Sequence, residues 1–369
     1  MSDSLSITTV SADALSGDDR AAWLTLRAAH PELESPYHHP DYHALVHRHM
    51  GGGKLTLARR GDTLAAVLPW QGGRFARPSG APMSDYQTVI ADPADTPALP
   101  DLLAGQAVGA FHYTAMADIE GEETARIEID AAESWRASQD GSYRRHLKST
   151  RRRIRKAESE VGERRLVHQS RDIDAYAALM RWKAEKFAET GKYDVLANAG
   201  TSGLLRELWE RGPGAELRAD LHALYLGDRI AACDLGLTDG RVFHSWIVGY
   251  DAELLPYAPG IQLLEGVIDA SEGLGYRVID LGPGLDGYKR HYASHARRVS
   301  GGVATLPSAA GAIAGLYDRA EDALRGRTGD ALGKLRRRYS QIAACEPRLG
   351  ARSRAMGEAL GGHLFRKPA

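Results

Sequence analysis

The sequence predicts an α+β chain: two structurally related halves, each a mixed, mostly antiparallel sheet flanked by helices, followed by a helical C-terminal tail. Three observations carry that expectation. At 369 residues, 43% of them hydrophobic and 26% charged, the chain exceeds one ordinary domain and can fill more than one core. Segments of strand and helix periodicity open both halves in the same order. A hexapeptide at a hairpin turn, Gly61-Asp62-Thr63-Leu64-Ala65-Ala66, has a counterpart 166 residues later, Gly227-Asp228-Arg229-Ile230-Ala231-Ala232, at the same step of that order.

In the first half a strand is predicted at 6–10, helices at 18–30 and 40–50, and a hairpin over 54–70. The second half opens on a very basic helix at 142–161. There Leu147, Thr150, Ile154, Ala157 and Val161 recur at helical spacing and make one modestly apolar stripe. A short strand at 164–169 follows, then a helix at 172–189 with Ile173, Tyr176, Leu179, Met180, Lys183 and Phe187 along one side. Thr201 is placed to cap a further helix carrying Leu204, Leu205 and Leu208. Strands at 218–226, 230–238 and 241–250 are punctuated by Gly227-Asp228 and Asp239-Gly240, dipeptides that accept the backbone of tight hairpins. Pro259-Gly260 opens a helix through 273, with Ile261, Leu264, Val267 and Ile268 facing inward. A strand at 276–281, a Gly/Pro-rich turn, a helical 288–292 and a strand at 299–306 close the half. An antiparallel meander followed by a βαβ crossover is an α+β arrangement. The expected divisions are 1–141, 142–306 and an Ala/Gly/Arg-rich tail at 307–369 with a basic run at 334–338.

Bulk properties exclude several classes. The net charge is −1, so electrostatic function must reside in local patches. The two cysteines, Cys233 and Cys345, are far apart, which leaves neither a disulfide framework nor a zinc site of ordinary spacing. Residues 1–10 lack the basic and apolar runs of a signal peptide, and no apolar stretch approaches the ~20 residues that span a bilayer. The expected compartment is the cytoplasm, with no transmembrane segment.

A set of segments in fixed order resembles a known family. They are the Arg/Lys-rich 144–156, Phe243-His244-Ser245-Trp246 leading to Gly249-Tyr250-Asp251, and Tyr257-Ala258-Pro259-Gly260 with Leu263-Leu264. Asp280-Leu281-Gly282-Pro283-Gly284 and Tyr288-Lys289 follow. In the first half, Ser35-Pro36-Tyr37 and the stretch from Gly80 to Gln87 belong to the same set. Together they resemble the GNAT-type domain of cellulose-biosynthesis CelD-like proteins, relatives of the FemABX peptidyltransferases. The resemblance covers most of the chain to about residue 305 and implies tandem GNAT folds, an acyl-CoA donor and a nucleophilic acceptor. It also implies a setting in exopolysaccharide production.

Several groups are then candidates for chemistry. In GNAT folds the helix opened by Pro259 binds the donor's pyrophosphate through backbone amides, because a helix start offers unpaired donors and partial positive charge. This assigns Ala258, Gly260, Ile261, Gln262 and Leu263 to the acyl-CoA, although one glycine stands where the family pattern spaces several. In the turn after the 276–281 strand, Asp280 can accept a proton, Lys289 can steady developing negative charge, and Tyr288 can act as an acid. FemABX relatives carry a functional lysine in a comparable place, which points to Lys289; the alternative is a surface Tyr-Lys pair. Period-2 alternation puts His244 and Trp246 on one side of their strand and Phe243 and Ser245 on the other. His244 is then a base or a satisfied core histidine, and Trp246 lines the acceptor site.

The basic helix offers Arg144 and Arg151 to an acidic acceptor, to CoA phosphates, to a membrane surface or to RNA; its alternative is a solvated helix paired with carboxylates elsewhere. Aromatic residues do not interleave the run beyond Tyr143, which disfavours nucleic acid. Asp85 and Tyr86 are candidates for contact with the acceptor in a cleft between the halves. His38, His39, His43, His47 and His49 lack companion ligands apart from Asp41, so no metal is expected. The leading reading is an acyl-CoA-dependent N-acyltransferase, with acetyl-CoA or another acyl-CoA as donor. Its acceptor is a small molecule or sugar nucleotide: an amino sugar or related envelope or exopolysaccharide precursor. A FemABX-like transfer from aminoacyl-tRNA and a non-catalytic GNAT scaffold in polysaccharide biosynthesis are the alternatives.

Overall fold

The computed structural model describes residues 5–294, 297–328, 331–346, 350 and 352–357. Its first elements are β1 (Ser6–Ser11), α1 (Gly17–Ala29), α2 (Pro40–Met50), β2 (Gly53–Arg60), β3 (Thr63–Gly72), β4 (Phe75–Pro78), β5 (Ile90–Ala91), α3 (Leu99–Leu102) and the long β6 (Ala110–Glu128). Then come α4 (Ala132–Ser138), α5 (Gly141–Glu160), β7 (Arg164–Val167), α6 (Ile173–Thr190), α7 (Ala199–Arg211), β8 (Arg218–Leu226), β9 (Arg229–Thr238) and β10 (Val242–Tyr250). The last are α8 (Pro259–Leu274), β11 (Val278–Pro283), β12 (Arg298–Thr305), α9 (Ala309–Thr328) and α10 (Ala331–Cys345). The order predicted for 142–306 is present, with the expected helix at 288–292 reduced to a 3-10 turn, Lys289–His291.

Two compact units form. One comprises residues 1–121, 188–204 and 299–369, the other 122–187 and 205–298. The boundary expected at 141 falls inside the second unit, because β11 pairs antiparallel with the far end of β6 through Val278↔Glu128 and Asp280↔Arg126. The tail clusters with the first unit, where Leu306 joins a core with Leu68, Trp70 and Phe111. There the Asn198 side chain donates to the Cys345 carbonyl at 2.9 Å and Arg336 pairs with buried Glu321 at 2.9 Å. Of the basic run, the Lys334 side chain lies outside the described residues.

In the first unit β1, β2 and β3 are antiparallel neighbours; β3 also pairs β4 and β5, and β4 runs parallel to the start of β6. In the second, β7, β8, β9 and β10 form an antiparallel meander, and β10 runs parallel to β11 through the α8 crossover. The duplication read from the hexapeptide extends to the backbone. Gly61 and Gly227 both take left-handed φ, 55° and 59°, which glycine adopts at little cost. Just before each turn the register slips by one residue, between Ala58 and Arg59 in one hairpin and between Leu224 and Tyr225 in the other.

The α7 cap is Asn198, whose Oδ1 accepts from the Gly200 amide at 3.0 Å, and not Thr201, which is buried inside the helix. The side chain two residues before an amide closes this turn better than one already within it. The second-unit core gathers Leu263, Leu264, Val267 and Ile268 of α8 against Leu224, Phe243, Tyr276 and Ile279. Among the described residues, no helix is long and apolar enough to cross a membrane.

Candidate active site

The site is built where two parallel strands part. β10 and β11 pair at Val242↔Val278, Phe243↔Ile279 and His244↔Asp280 and at no later position, though β10 continues to Tyr250 and β11 to Pro283. Both strands are bent there. On β10, Trp246 is the extra residue between Ser245↔Gly236 and Ile247↔Leu235, a bulge that turns the strand. On β11, pairing with β6 slips between Asp280 and Pro283, and Gly282 takes a left-handed φ of 80°. The bulge breaks the simple alternation that grouped Trp246 with His244.

At the closed end of this fork stand three buried polar side chains. His244 and Asp280 are 0% and 1% exposed, with Nδ1 and Oδ1 3.5 Å apart. Arg126, brought by β6 and equally buried, sets Nη1 3.6 Å from Asp280 Oδ2. The Gly282 amide donates to Asp280 Oδ1 at 2.8 Å. A buried carboxylate needs such compensation, since desolvation alone is costly. Sequence reasoning did not find Arg126, which lies more than a hundred residues from its partners; only the fold delivers it.

Phe243 and Ser245 alternate to the opposite face. There the Ser245 hydroxyl donates to Asp234 Oδ2 at 2.7 Å, while Asp234 Oδ1 is buried and has no hydrogen-bond partner among the described residues. Burial pushes the Asp234 carboxyl up to about 7; the Ser245 hydrogen bond and the charges of His244 and Lys183 pull the other way. The Tyr288 phenol is pushed up to about 12, first by burial and then by the charge of Asp234. Asp234 and Tyr288 therefore share one electrostatic neighbourhood. Lys289 folds back onto the end of β11, where its Nζ donates to the Pro283 carbonyl at 2.9 Å. Asp234 was absent from the sequence reading, because nothing in β9's alternation marks it as different from an ordinary strand acid.

Beside the fork, α8 begins abruptly. Ala258 adopts a left-handed conformation (φ 53°, ψ 56°), unusual for a residue with a side chain. Pro259 has no N–H, and the Ile261 and Gln262 amides both donate to the Ala258 carbonyl at 3.1 and 3.2 Å. Gly260 N–H is the amide left without a backbone acceptor among the described residues. A Cβ there would have the Tyr250 ring at 3.6 Å and no other described atom within 4 Å, so the position has room for a side chain. Gln262 and Leu263 are buried; the Gln262 side chain donates to the Tyr257 carbonyl at 3.0 Å. Of the five residues assigned to the donor, Ala258, Gly260 and Ile261 stand at the accessible end of the helix and Gln262 and Leu263 within the core. Two cations lie close: Arg164 donates to the Gln262 carbonyl at 3.2 Å, and Lys156 Nζ is 5.7 Å from the Tyr257 ring.

One turn further along α8, buried Glu265 accepts from Tyr292 at 2.8 Å, Arg136 at 2.8 Å and Tyr143 at 3.3 Å. This ties α4, α5 and the segment after β11 to the helix that opens at Gly260. Past it lies an open polar groove of about 680 Å³ with Glu128, Asp130, Asp140, Arg290 and His291 on its walls.

The remaining predicted residues do not join the fork. Arg144 and Arg151 are exposed on α5. Asp85 and Tyr86 belong to the first unit, where Tyr86 is buried edge-on to Tyr37 at 6.2 Å. Of the histidine series, His43 is buried in the same unit, where it stacks on Trp23 at 5.4 Å, and burial with the neighbouring His39 holds it neutral, down to about 3.

Comparison with known proteins bears on the fold. Residues 144–290 match the family model described as an acetyltransferase (GNAT) domain, which spans the fork, α8 and Lys289. No curated protein matches the chain as a relative. Among solved structures, FemX superposes with a TM-score of 0.52 at 10% identity, over 81% of this chain and 97% of that one. A tandem GNAT protein from the clavulanic acid biosynthesis pathway gives 0.47 at 11%, over 83% and 100%. A C-terminal domain assigned to a lysylphosphatidylglycerol synthetase of Agrobacterium fabrum gives 0.49 at 14%, over 82% and 96%. The fold is α+β of the tandem GNAT-like kind, and the segment 144–290 within it matches the GNAT acetyltransferase domain.

Proposed function

We propose that the chain transfers an acyl group from acyl-CoA to an amine, and that the parting of β10 and β11 carries this reading. Beyond His244↔Asp280 the facing edges of two strands no longer serve each other. Backbone polar groups require partners, and an extended chain of amides, as in the pantetheine arm, supplies them by lying between strands. The Gly260 amide, the room at its Cα and nearby Arg164 and Lys156 suit the pyrophosphate. The donor supplies the activated thioester; attack by the amine and departure of the thiolate complete the transfer.

Asp234, poised near neutrality with one buried oxygen lacking a partner, is the group best suited to take the amine's proton. His244, Asp280 and Arg126 hold the fork's closed end. Lys289, at the end of β11, can steady the oxyanion, and Tyr288, within the field of Asp234, can protonate the leaving thiolate. The resemblance to CelD-like proteins favours an amino sugar or related envelope precursor as acceptor, reached in the cytoplasm. Lys289→Ala is expected to lower turnover at least about a hundredfold with the melting temperature unchanged, measured by thiol release from acetyl-CoA with amino-sugar acceptors. Full turnover in that variant removes Lys289 from the mechanism. A second reading, a non-catalytic scaffold, rests on the inward turn of the Ile261 and Gln262 amides; it requires that no acyl-CoA bind.

A further inference from the structure

The outward face of α5 carries a row of cations, Lys156 at its edge aside, that the acyl-transfer reading does not use. Arg144, Lys148, Arg151 and Arg155 follow one another at helical spacing and are all exposed, with Arg145, Arg152 and Lys156 exposed alongside. Tyr143, Thr150 and Ala157 are the buried face of the same helix. Acids appear only at its end: Glu160 lies 3.8 Å from Lys156, and Asp140 before the helix feels the charge of Arg145. Among the described residues the side chains of Lys148, Arg151, Arg152 and Arg155 have neither an ion pair nor a hydrogen bond. The carboxylate-paired helix weighed from the sequence is therefore not what forms along most of the row.

The row is straight and extends roughly 17 Å from Arg144 to Arg155, at the ~1.5 Å rise per residue of a helix. Like charges at this spacing repel, so the row is most stable against an anionic surface. Next to its C-terminal end, the turn Ala252–Tyr257 packs on α5 through a 2.8 Å hydrogen bond from the Tyr257 hydroxyl to Glu160. That turn presents Leu255, 58% exposed, with exposed Pro256 beside it. We infer that this face docks on an anionic membrane surface, the cations over lipid phosphates and Leu255 entering the interface. Nucleic acid fits less well, since of the helix's two rings Tyr143 faces inward and His146 stacks on His291, which leaves no stacking platform on the outward face. The inference is independent of the acyl-transfer reading.

The test is co-sedimentation of the full chain with vesicles of phosphatidylcholine alone and mixed with phosphatidylglycerol. Binding to the mixed vesicles only is expected, weakening at least about tenfold between about 0.05 M and about 0.3 M salt. At about fivefold per cation, Lys148→Glu with Arg152→Glu and Arg155→Glu should weaken partitioning by at least about a hundredfold. Arg155→Gln alone should weaken it about fivefold and keeps the test valid if the triple variant misfolds. Equal binding to neutral vesicles, no binding to anionic ones, or unaltered binding by a folded variant overturns the inference. Release from the vesicles by tRNA at a lower phosphate concentration than the lipid's reassigns the face to RNA and equally overturns it.

Discussion

Replacing Asp234 by Asn tests the electrostatics of the fork through stability, without needing the acceptor. In the unfolded chain the carboxyl ionises near its ordinary value of 3.8; in the fold burial pushes it up to about 7. Between those values the unfolded state releases a proton that the native state retains, so stability falls as pH rises from about 4 to about 7 and is level above. The difference between 3.8 and about 7 corresponds to about 4 kcal/mol at alkaline pH, of which about 2.5 kcal/mol develops between about pH 5 and pH 8. Asn keeps an oxygen for the Ser245 hydroxyl and has no proton to lose. Urea unfolding of wild type and Asp234→Asn at both pH values should show the wild type losing about 2.5 kcal/mol more than the variant across that range. Parallel pH dependences would mean that Asp234 ionises normally in the fold, and the reasoning that makes it a base near neutrality would fail.

Two further outcomes follow from the packing. Glu265→Ala strands two buried phenols and removes the acceptor of Arg136, so it should cost about 3–6 kcal/mol in urea unfolding; a cost under about 1 kcal/mol means that α8 is not anchored there. Gly236→Ala places a methyl group against the Phe243 ring and 2.7 Å from the His244 carbonyl oxygen. A loss of about 1–3 kcal/mol is expected, and a neutral result in thermal melting would show that β10 yields at the bulge.

The residues that sequence reasoning located are those whose information is local. Gly227-Asp228 and Asp239-Gly240 mark real turns, and Pro259 opens α8 where expected, because turn and cap chemistry act within a few residues. The duplication was legible from one hexapeptide and proved deeper, down to the register slips at Ala58 and Leu224. What was not legible depends on long-range pairing. Arg126 meets Asp280 only because β6 pairs β11, and Asp234 is set apart only by burial beneath Ser245. The bulge at Trp246 follows from the pairing of β10 with β9, which period-2 alternation cannot foresee. The far end of β6 joins the second unit for the same reason, which moves the division upstream of 141.

Calorimetric titration of acetyl-CoA into the wild type and Gly260→Asp tests the central claim most directly. The variant adds an acid to the first turn of α8, which favours the helix by about 0.3–1 kcal/mol, and its Cβ has the Tyr250 ring at 3.6 Å as its one neighbour within 4 Å among the described residues. Wild type should bind with measurable heat, and Gly260→Asp should bind at least about tenfold more weakly through repulsion of the pyrophosphate while melting no lower. Absence of heat from the wild type with acetyl-CoA and with longer acyl-CoAs, or equal binding by the variant, would contradict an acyl-CoA seated between β10 and β11.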